Sequence, residues 1–223
     1  MTAMNFRGPA LAALVAVSAG GLLGERAQAQ SVGGTAYGTY VNAGGVTSQS
    51  PVASLPSTGG MSVGDAQTFG VPNTLSAQWL KAISTGAVDN PASTAQSTSE
   101  LENVSILGGL ISADNVTAIA SSFRNAAGAA SDAAGSGFVN LVVAGTAVAT
   151  DVAPNTRVDL PGVGYVVLNE VQQTGNGATS SGMTVNMIHV VEQSPILGLL
   201  GQIIGYQTTG EIIVGSASSA VQF

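Results

Sequence analysis

Short apolar runs separated by turn residues dominate the chain from about residue 30 onwards. The runs consist mainly of Val, Ile, Leu and Ala, and Gly, Pro, Asn and Ser interrupt them. This pattern is typical of strands joined by turns. The predicted strands cover residues 35–41, 52–55, 104–107, 110–120, 138–144, 158–171, 183–192 and 211–214, with a possible extension of the last to Phe223. Because a Gly/Asn/Thr/Ser loop separates 158–171 from 183–192, these two are predicted to form a hairpin.

Two segments instead have features of short helices. Leu75, Trp79 and Ile83 recur every four residues within residues 74–83, and residues 196–204 are largely apolar. The long segments without either pattern, residues 84–99 and 121–137, are predicted as loops. The expected fold is therefore all-β, a single-domain β-sandwich with one or two short helices.

The first 29 residues have the features of an export signal. Arg7 precedes an apolar run over residues 9–23, and small residues stand at both ends of Ala27-Gln28-Ala29. The run is shorter than the roughly 20 residues that a membrane-spanning helix needs. We expect residues 1–29 to be a cleaved signal peptide, with residues 30–223 forming a single secreted or cell-surface domain without a membrane span.

Composition excludes several classes of protein. Charged residues make up 8% of the chain and hydrophobic residues 45%, which argues against intrinsic disorder. The absence of Cys excludes disulfides, thiolate metal sites and a Cys nucleophile. Five Lys and Arg residues against twelve Asp and Glu residues leave no basic patch for phosphates, so nucleic acid is not an expected partner.

His189 is the only histidine, so any histidine-dependent chemistry requires it. The sequence marks no nucleophile or orienting acid for it, and no second His or Cys is available to share a metal. We therefore interpret His189 as a hydrogen-bonded strand residue. No catalytic or cofactor-binding residue is predicted, and the protein is not expected to be an enzyme.

Three aspartates are weak candidates for calcium binding. Asp114, Asp151 and Asp159 lie in segments with turn residues, and Ca²⁺ prefers such oxygen ligands. However, they do not have the spacing of a known calcium loop. The alternative is that they are solvated, with Asp159 paired to Arg157, and no cofactor is firmly expected.

Several strings in a fixed order carry a family resemblance. They are GTYVN from Gly38, SPVASLP from Ser50, LENVSILGGLISAD from Leu101, LVVAG from Leu141, PNT from Pro154, LPG from Leu160, VLNE from Val167 and VNMIHV from Val185. Together they resemble the choice-of-anchor P family of exported bacterial proteins. The resemblance implies an extracellular surface domain of unknown molecular role with a C-terminal anchor. Because this chain ends in SSAVQF without an apolar span or basic tail, we expect simple secretion rather than that anchor.

The sequence leaves more than one function open. The first expectation is a secreted or cell-surface, non-enzymatic β-domain with a structural, matrix or adhesive role, which includes self-association. The alternative is a soluble extracellular module that binds a glycan or calcium. A small outer-membrane β-barrel ranks third, because nine aromatic residues after residue 29 provide little for aromatic girdles. A hydrolase ranks last.

Overall fold

The computed structural model describes residues 30–223, so the predicted signal peptide, residues 1–29, lies outside the described residues. Within them, strands β1–β14 account for most of the chain, and one 3₁₀ turn, Leu107–Gly109, lies between β5 and β6. The strands are β1 Ser31–Ala43, β2 Val46–Leu55, β3 Gly60–Val71, β4 Leu75–Val88, β5 Ser93–Ile106, β6 Ile111–Asn125, β7 Gly128–Asp132, β8 Gly137–Val139, β9 Val142–Val143, β10 Thr146–Ala147, β11 Thr156–Leu160, β12 Gly164–Gly175, β13 Ser180–Leu197 and β14 Ile203–Gln222.

These strands form two antiparallel sheets that pack face to face. The first sheet has six strands in the order β11-β12-β13-β14-β1-β2, and the second has eight, with β10-β9-β6-β5-β4-β3 as its main path. The short strands β7 and β8 both pair with β6. The expectation of an all-β sandwich is confirmed. Among the described residues, no helix has the length and hydrophobicity needed to cross a membrane.

The core lies between the central strands of the two sheets. Strand β14 of the first sheet packs against β5 and β6 of the second, and β13 packs against β6. The largest fully buried side chains are Leu80, Leu101, Ile106, Ile111, Val116, Leu141, Leu160, Val166, Leu168, Met187, Ile188 and Ile212. Burying each such side chain contributes about 1.5–3 kcal/mol relative to its exposure, so this layer is the main stabilising contribution.

One end of the interface between the sheets is lined by serines instead. Ser122 in β6 hydrogen-bonds Ser219 in β14 at 2.7 Å and Ser131 in β7 at 2.8 Å. Ser131 in turn lies 2.7 Å from Ser181 in β13, which links the two sheets a second time. Because the hydroxyls satisfy one another, these buried polar groups do not carry the cost of unpaired donors and acceptors.

This serine layer explains why two predicted loops are wrong. Residues 84–99 contain the end of β4 and the first half of β5, and residues 121–137 contain the end of β6 and all of β7. In β5 the inward positions include Ser93, Ser97 and Ser99, each buried to 2% exposure or less. These strands therefore lack the alternation of apolar and polar residues by which a sequence reveals a half-buried strand.

Both predicted helices are also wrong. Residues 74–83 lie largely in β4, because a four-residue spacing is also a multiple of the two-residue period of a strand. The buried residues of β4 alternate as Leu75 and Ala77, then Leu80 and Ala82, with the change of phase at Trp79. Residues 196–204 form the end of β13, a turn and the start of β14.

The C-terminal half of the chain agrees more closely with prediction. The hairpin of residues 158–171 and 183–192 is confirmed, because β12 pairs with β13. The interruption at Pro161-Gly162, however, divides the first of these segments into a second hairpin, β11–β12. There Gly162 adopts a φ of 80°, a left-handed conformation that favours glycine.

The pattern of inward and outward side chains changes phase at one level of the six-stranded sheet. Met187 and Ile188 are consecutive in β13 and both are buried. Their neighbours across the sheet, Asn169 in β12 and Gly215 in β14, have φ values of 50° and 68°. Because adjacent strands have the irregularity at the same level, the pairing register between them is the same on both sides of that level. Its consequence is that Asn186 and His189, three residues apart, both reach the outer face.

We predict that Gly215→Ala destabilises the protein more than Gly44→Ala. Both glycines have positive φ, 68° and 59°, so alanine costs about 1–2 kcal/mol of backbone strain at either position. At Gly44 a Cβ meets open space, whereas at Gly215 it lies 2.8 Å from Val116 Cγ1 in the opposite sheet. Overpacking there adds about 1–3 kcal/mol. Urea unfolding of both variants measures the difference, and equal losses would show that the sheets are not tightly packed at Gly215.

Candidate functional site

The outer face of the six-stranded sheet carries a connected set of polar side chains around His189. Its Nδ1 lies 2.9 Å from Glu170 Oε2 in β12, and its Nε2 lies 2.9 Å from Glu211 Oε1 in β14. Asn186 donates to the same Glu170 oxygen at 2.7 Å, and Ser216 donates to Asn186 Oδ1 at 2.7 Å. His189 is thus the hydrogen-bonded strand residue that its sequence predicts.

This arrangement leaves neither ring nitrogen of His189 free. The imidazolium form donates from both nitrogens, whereas the neutral ring donates to only one of the two carboxylates. A general base needs a free nitrogen within reach of the proton that it removes. In addition, the two carboxylates lie at opposite sides of the ring, so the three side chains do not converge on one point as metal ligands do. The arrangement stabilises the sheet surface by pairing two acidic groups with one ring.

Tyr37 extends this polar face into β1. It lies directly across from Ser216 in the register of β1 with β14, and its ring centroid is 6.5 Å from that of Tyr40. Burial of the hydroxyl is the largest cause that raises the pKa of Tyr37 above the ordinary tyrosine value. Ser216 partly opposes this shift, and the negative charge of Glu211 adds to it.

The structure does not bring the three calcium candidates together. Asp114 lies on β6 of the eight-stranded sheet and accepts a hydrogen bond from Asn140 at 2.7 Å. Asp159 lies on β11 of the other sheet and pairs with Arg157 at 3.0 Å. Asp151 lies in the connection between β10 and β11. Across residues 30–223, no group of three or more His, Cys, Asp or Glu side chains is placed to hold a metal ion.

A groove of about 560 Å³ surrounds Trp79 on the outer face of the eight-stranded sheet. Trp79 has a φ of 47° and its side chain is 61% exposed. It occupies a β-bulge between β4 and β5, and such bulges redirect a side chain out of the regular pattern. Polar and charged residues on three strands surround the ring: Asp65, Gln67, Lys81, Glu100 and Glu102. Lys81 pairs in register with both Asp65 and Glu100.

A hairpin projects from one end of the six-stranded sheet. Beyond Glu192 and Gly210, strands β13 and β14 form ladder pairs only with each other, and we call residues 193–208 the finger. The base of the finger still contacts the β11–β12 hairpin, because Gln193 N–H donates to the Val163 carbonyl at 2.7 Å and Pro195, Ile203 and Tyr206 line a cavity together with residues 160–164. No charged residue lies between Glu192 and Glu211. The exposed apolar side chains of the finger are Ile196, Leu197, Leu199, Leu200, Ile203, Ile204 and Tyr206.

The finger is nevertheless a paired hairpin, with one bulge at its base and one near its tip. Its ladder runs from Gln193 paired with Thr208 to Leu197 paired with Ile203. At the tip, Gly198 N–H donates to the Gln202 carbonyl at 2.8 Å, and Gly201 N–H donates to the Gly198 carbonyl at 2.9 Å. Its exposed leucines are therefore presented by a hydrogen-bonded turn.

Neither the Trp79 groove nor the finger is predicted as a site from the sequence. For the finger a signal was present, because the 18 residues between Glu192 and Glu211 contain no charge and two Gly residues flank Leu199-Leu200. The short apolar run over residues 196–204 predicts a helix instead. For the groove no local signal exists, since its residues come from three strands.

We predict that the stability of the protein falls as the pH rises above 10 and that Tyr37→Phe reduces this loss. Because the native state raises the pKa of Tyr37 above 10.0, native Tyr37 holds its proton to higher pH than the unfolded chain does. The contribution of this retained proton to the free energy of unfolding is fully present below pH 10. It is lost as the pH rises through the native pKa of Tyr37. Urea unfolding between about pH 9 and pH 11.5 measures it. Tyr206→Phe, on the exposed finger, is the control and should follow the unsubstituted protein. An equal alkaline loss in the Tyr37→Phe variant would contradict the prediction.

Comparisons with known proteins give one match. No curated protein and no solved structure matches the chain. A family model, described as a domain of unknown function (DUF8256), matches residues 25–168, which is more than half of the chain. The match extends from before β1 into β12, so the finger lies outside the matched residues. The chain therefore belongs to the DUF8256 family.

Proposed function

We propose that the protein is an extracellular, non-enzymatic attachment domain that contacts its target through the finger. The observation that carries this proposal is the exposure of Leu199 and Leu200 at the tip of an ordered hairpin. Leu200 is 92% exposed and Leu199 is completely exposed. The sandwich is the support that holds this apolar tip away from the rest of the surface.

The concentration of apolar side chains on the finger distinguishes it from ordinary surface hydrophobics. Exposed apolar residues elsewhere, such as Val46, Met61 and Val139, lie in separate strands. Single exposed apolar residues are normal on protein surfaces, whereas a continuous apolar patch marks an interaction site. The finger has seven exposed apolar side chains within residues 193–208, which form a continuous apolar patch.

Two further lines of evidence support a non-enzymatic role outside the cell. The only histidine has both ring nitrogens engaged by carboxylates, which leaves it no capacity to activate a nucleophile. The apolar segment and small residues of residues 1–29 have the pattern of a secretion signal. The resemblance to the choice-of-anchor P family implies the same location.

We predict that replacing both tip leucines by serine releases the protein from the cell surface. The double variant Leu199→Ser/Leu200→Ser loses apolar contact area but keeps the hydrogen bonds of the turn. In cells that produce the protein, the fraction bound to cells or matrix should fall by about tenfold or more, and the fraction in the medium should rise accordingly.

The matched control is Met61→Ser/Val139→Ser, which removes two exposed apolar side chains from the eight-stranded sheet. It should leave the distribution between cells and medium unchanged. Thermal unfolding of both variants checks that the fold is kept. If the finger variant stays cell-bound to the same extent as the control, the proposed function is wrong.

A second candidate function, glycan binding, is favoured by the Trp79 groove. An exposed aromatic face offers a platform for the apolar face of a sugar ring, and carboxylates and amides beside it can accept and donate hydrogen bonds to hydroxyls. Asp65, Gln67, Glu100 and Glu102 supply such groups around Trp79. The bulge that turns Trp79 outward costs strain, and such strain is concentrated at functional sites.

The glycan hypothesis predicts a change in tryptophan fluorescence when soluble cell-wall oligosaccharides are added. Trp79 is the only tryptophan, so its emission reports on the groove alone. In native gels that contain the corresponding polysaccharide, the protein should migrate more slowly than in gels without it. Trp79→Ala should remove this retardation. Phe123→Ala, which replaces another exposed aromatic residue, should not. Unchanged emission and migration across the panel would exclude the groove as a glycan site.

A further inference from the structure

We infer that the finger is a lipid-inserting element, and that its target is a zwitterionic bilayer surface into which the tip penetrates. This inference rests on the proposed function, because it names what the attachment domain attaches to. It concerns residues 193–208 only and requires no membrane-spanning segment.

The distribution of apolar side chains favours lipid over a protein partner. Successive residues of a strand point to opposite faces, so Ile196 and Leu197 project from the two faces of the finger. The opposite strand has a bulge at Ile204, since Ile196 pairs with Gly205 and Leu197 with Ile203, and there Ile203 and Ile204 add two more apolar side chains. All four side chains are more than 40% exposed. A hairpin that docks on a protein surface needs one apolar face. A tip surrounded by acyl chains is apolar on both.

Most backbone N–H groups of the tip are hydrogen-bonded within the tip, which lowers the cost of entering a medium without water. Polar backbone groups that enter hydrocarbon must find partners within the protein. Besides the two backbone bonds of the turn, the Gln202 side chain accepts a hydrogen bond from Leu200 N–H at 3.1 Å. Pro195 has no N–H to satisfy. Three of the five N–H groups of residues 198–202 therefore have partners within the tip itself.

The dimensions of the finger fit insertion into one leaflet. Five residues of β13, Gln193 to Leu197, continue past the last ladder pair with β12, which corresponds to roughly 17 Å, and the first of them still bonds the Val163 carbonyl. Its strongly apolar part starts at Ile196 and reaches about 10 Å, the depth to which interfacial segments enter the boundary of headgroups and acyl chains. Tyr206 lies between this part and the base, at the level where tyrosines occur in membrane interfaces.

The charges around the finger indicate which lipid it fits. Glu192 and Glu211 lie at the base, and the chain as a whole has a formal net charge of −7. Arg157 at the neighbouring β11–β12 hairpin is already paired with Asp159 and stacked on Tyr165, 3.7 Å from the ring centroid. Because the cation of this neighbouring hairpin is already paired and the finger itself carries no charge, binding should be driven by apolar contact and should depend little on salt.

The absence of cysteine allows a direct test on the full chain. Leu199→Cys introduces the only thiol, to which an environment-sensitive fluorophore can be attached. On addition of phosphatidylcholine vesicles, its emission should shift to the blue, and nitroxide-labelled lipid should quench it. Vesicles rich in phosphatidylglycerol should give a weaker response. In the labelled protein, Leu200→Ser should reduce vesicle partitioning reported by the label by about tenfold or more.

The control label is Ala178→Cys, in the exposed turn between β12 and β13. This turn lies at the end of the sheet opposite to the finger, and Gln30, which joins residues 1–29 to β1, lies at that same end. A lipid contact made through residues 1–29 would thus affect the control label rather than the tip. The control should show no blue shift.

The outcomes separate this inference from the proposed function. If the tip label does not respond to any vesicle while Leu199→Ser/Leu200→Ser still releases the protein from cells, lipid is not the target and the proposed function stands. A blue shift that rises with protein concentration without vesicles would identify a second copy of the chain as the occupant and overturn the inference. A tip label that enters vesicles while the serine variant stays cell-bound would support lipid contact and overturn the proposed function.

Discussion

The antiparallel pairing of β13 with β14 is the interaction on which the rest of the structure depends. These strands, 18 and 20 residues long, are the longest in the described chain and lie at the centre of the six-stranded sheet. Their inward side chains, including Val185, Ile188 and Ile212, form one wall of the core. The same ladder then continues past the sheet as the finger. Since backbone hydrogen bonds hold the two strands together, the side chains can change from fully buried to fully exposed along one continuous element.

This continuity explains how an apolar tip can be presented without collapse onto the sandwich. An isolated two-stranded hairpin is marginally stable in water. Here the hairpin is anchored by neighbours on both sides up to Glu192 and Gly210, where β12 and β1 still pair with it. The sandwich thus stabilises the finger through these pairings at its base. The exposed leucines therefore do not have to contribute to folding. A stable support and an exposed apolar tip are separate parts of the same strand pair.

The sandwich itself relies on few charges. With 8% charged residues, the protein has little capacity for ion pairs, and one Arg–Asp pair and the bridges at His189 are the pairs within the described residues. The space between the sheets is filled by apolar side chains and also by buried hydroxyl pairs, such as Ser122 with Ser219 and Ser84 with Ser97. Small side chains permit close approach of the strands. We infer that this composition suits a secreted protein stabilised without disulfides.

The sequence predicted the fold class and the environment of its histidine, and it failed where packing depends on distant strands. The β12–β13 hairpin was predictable because apolar runs and a polar turn are local. The first half of β5 is not predicted, because its inward positions are serines, of which Ser97 and Ser99 pair with a hydroxyl and a carbonyl of other strands. Leu75 and Trp79 suggested a helix, since the bulge at Trp79 becomes visible only when β4 pairs with β5. Residues 196–204 predict a helix because they form one short apolar run. Their glycines instead belong to the turn between β13 and β14, and most of β14 lies beyond this run.

The central claim is that the finger is ordered and that its tip faces solvent in the free protein. NMR with a water-soluble paramagnetic agent tests it most directly, through the methyl groups of Leu199 and Leu200 and the cross-strand contacts between Pro195 and Tyr206. We predict strong broadening of both leucines while the cross-strand contacts persist. Protected leucine methyls, or loss of the cross-strand contacts, would show a tip that folds back or lacks a fixed structure, and either result would contradict this account.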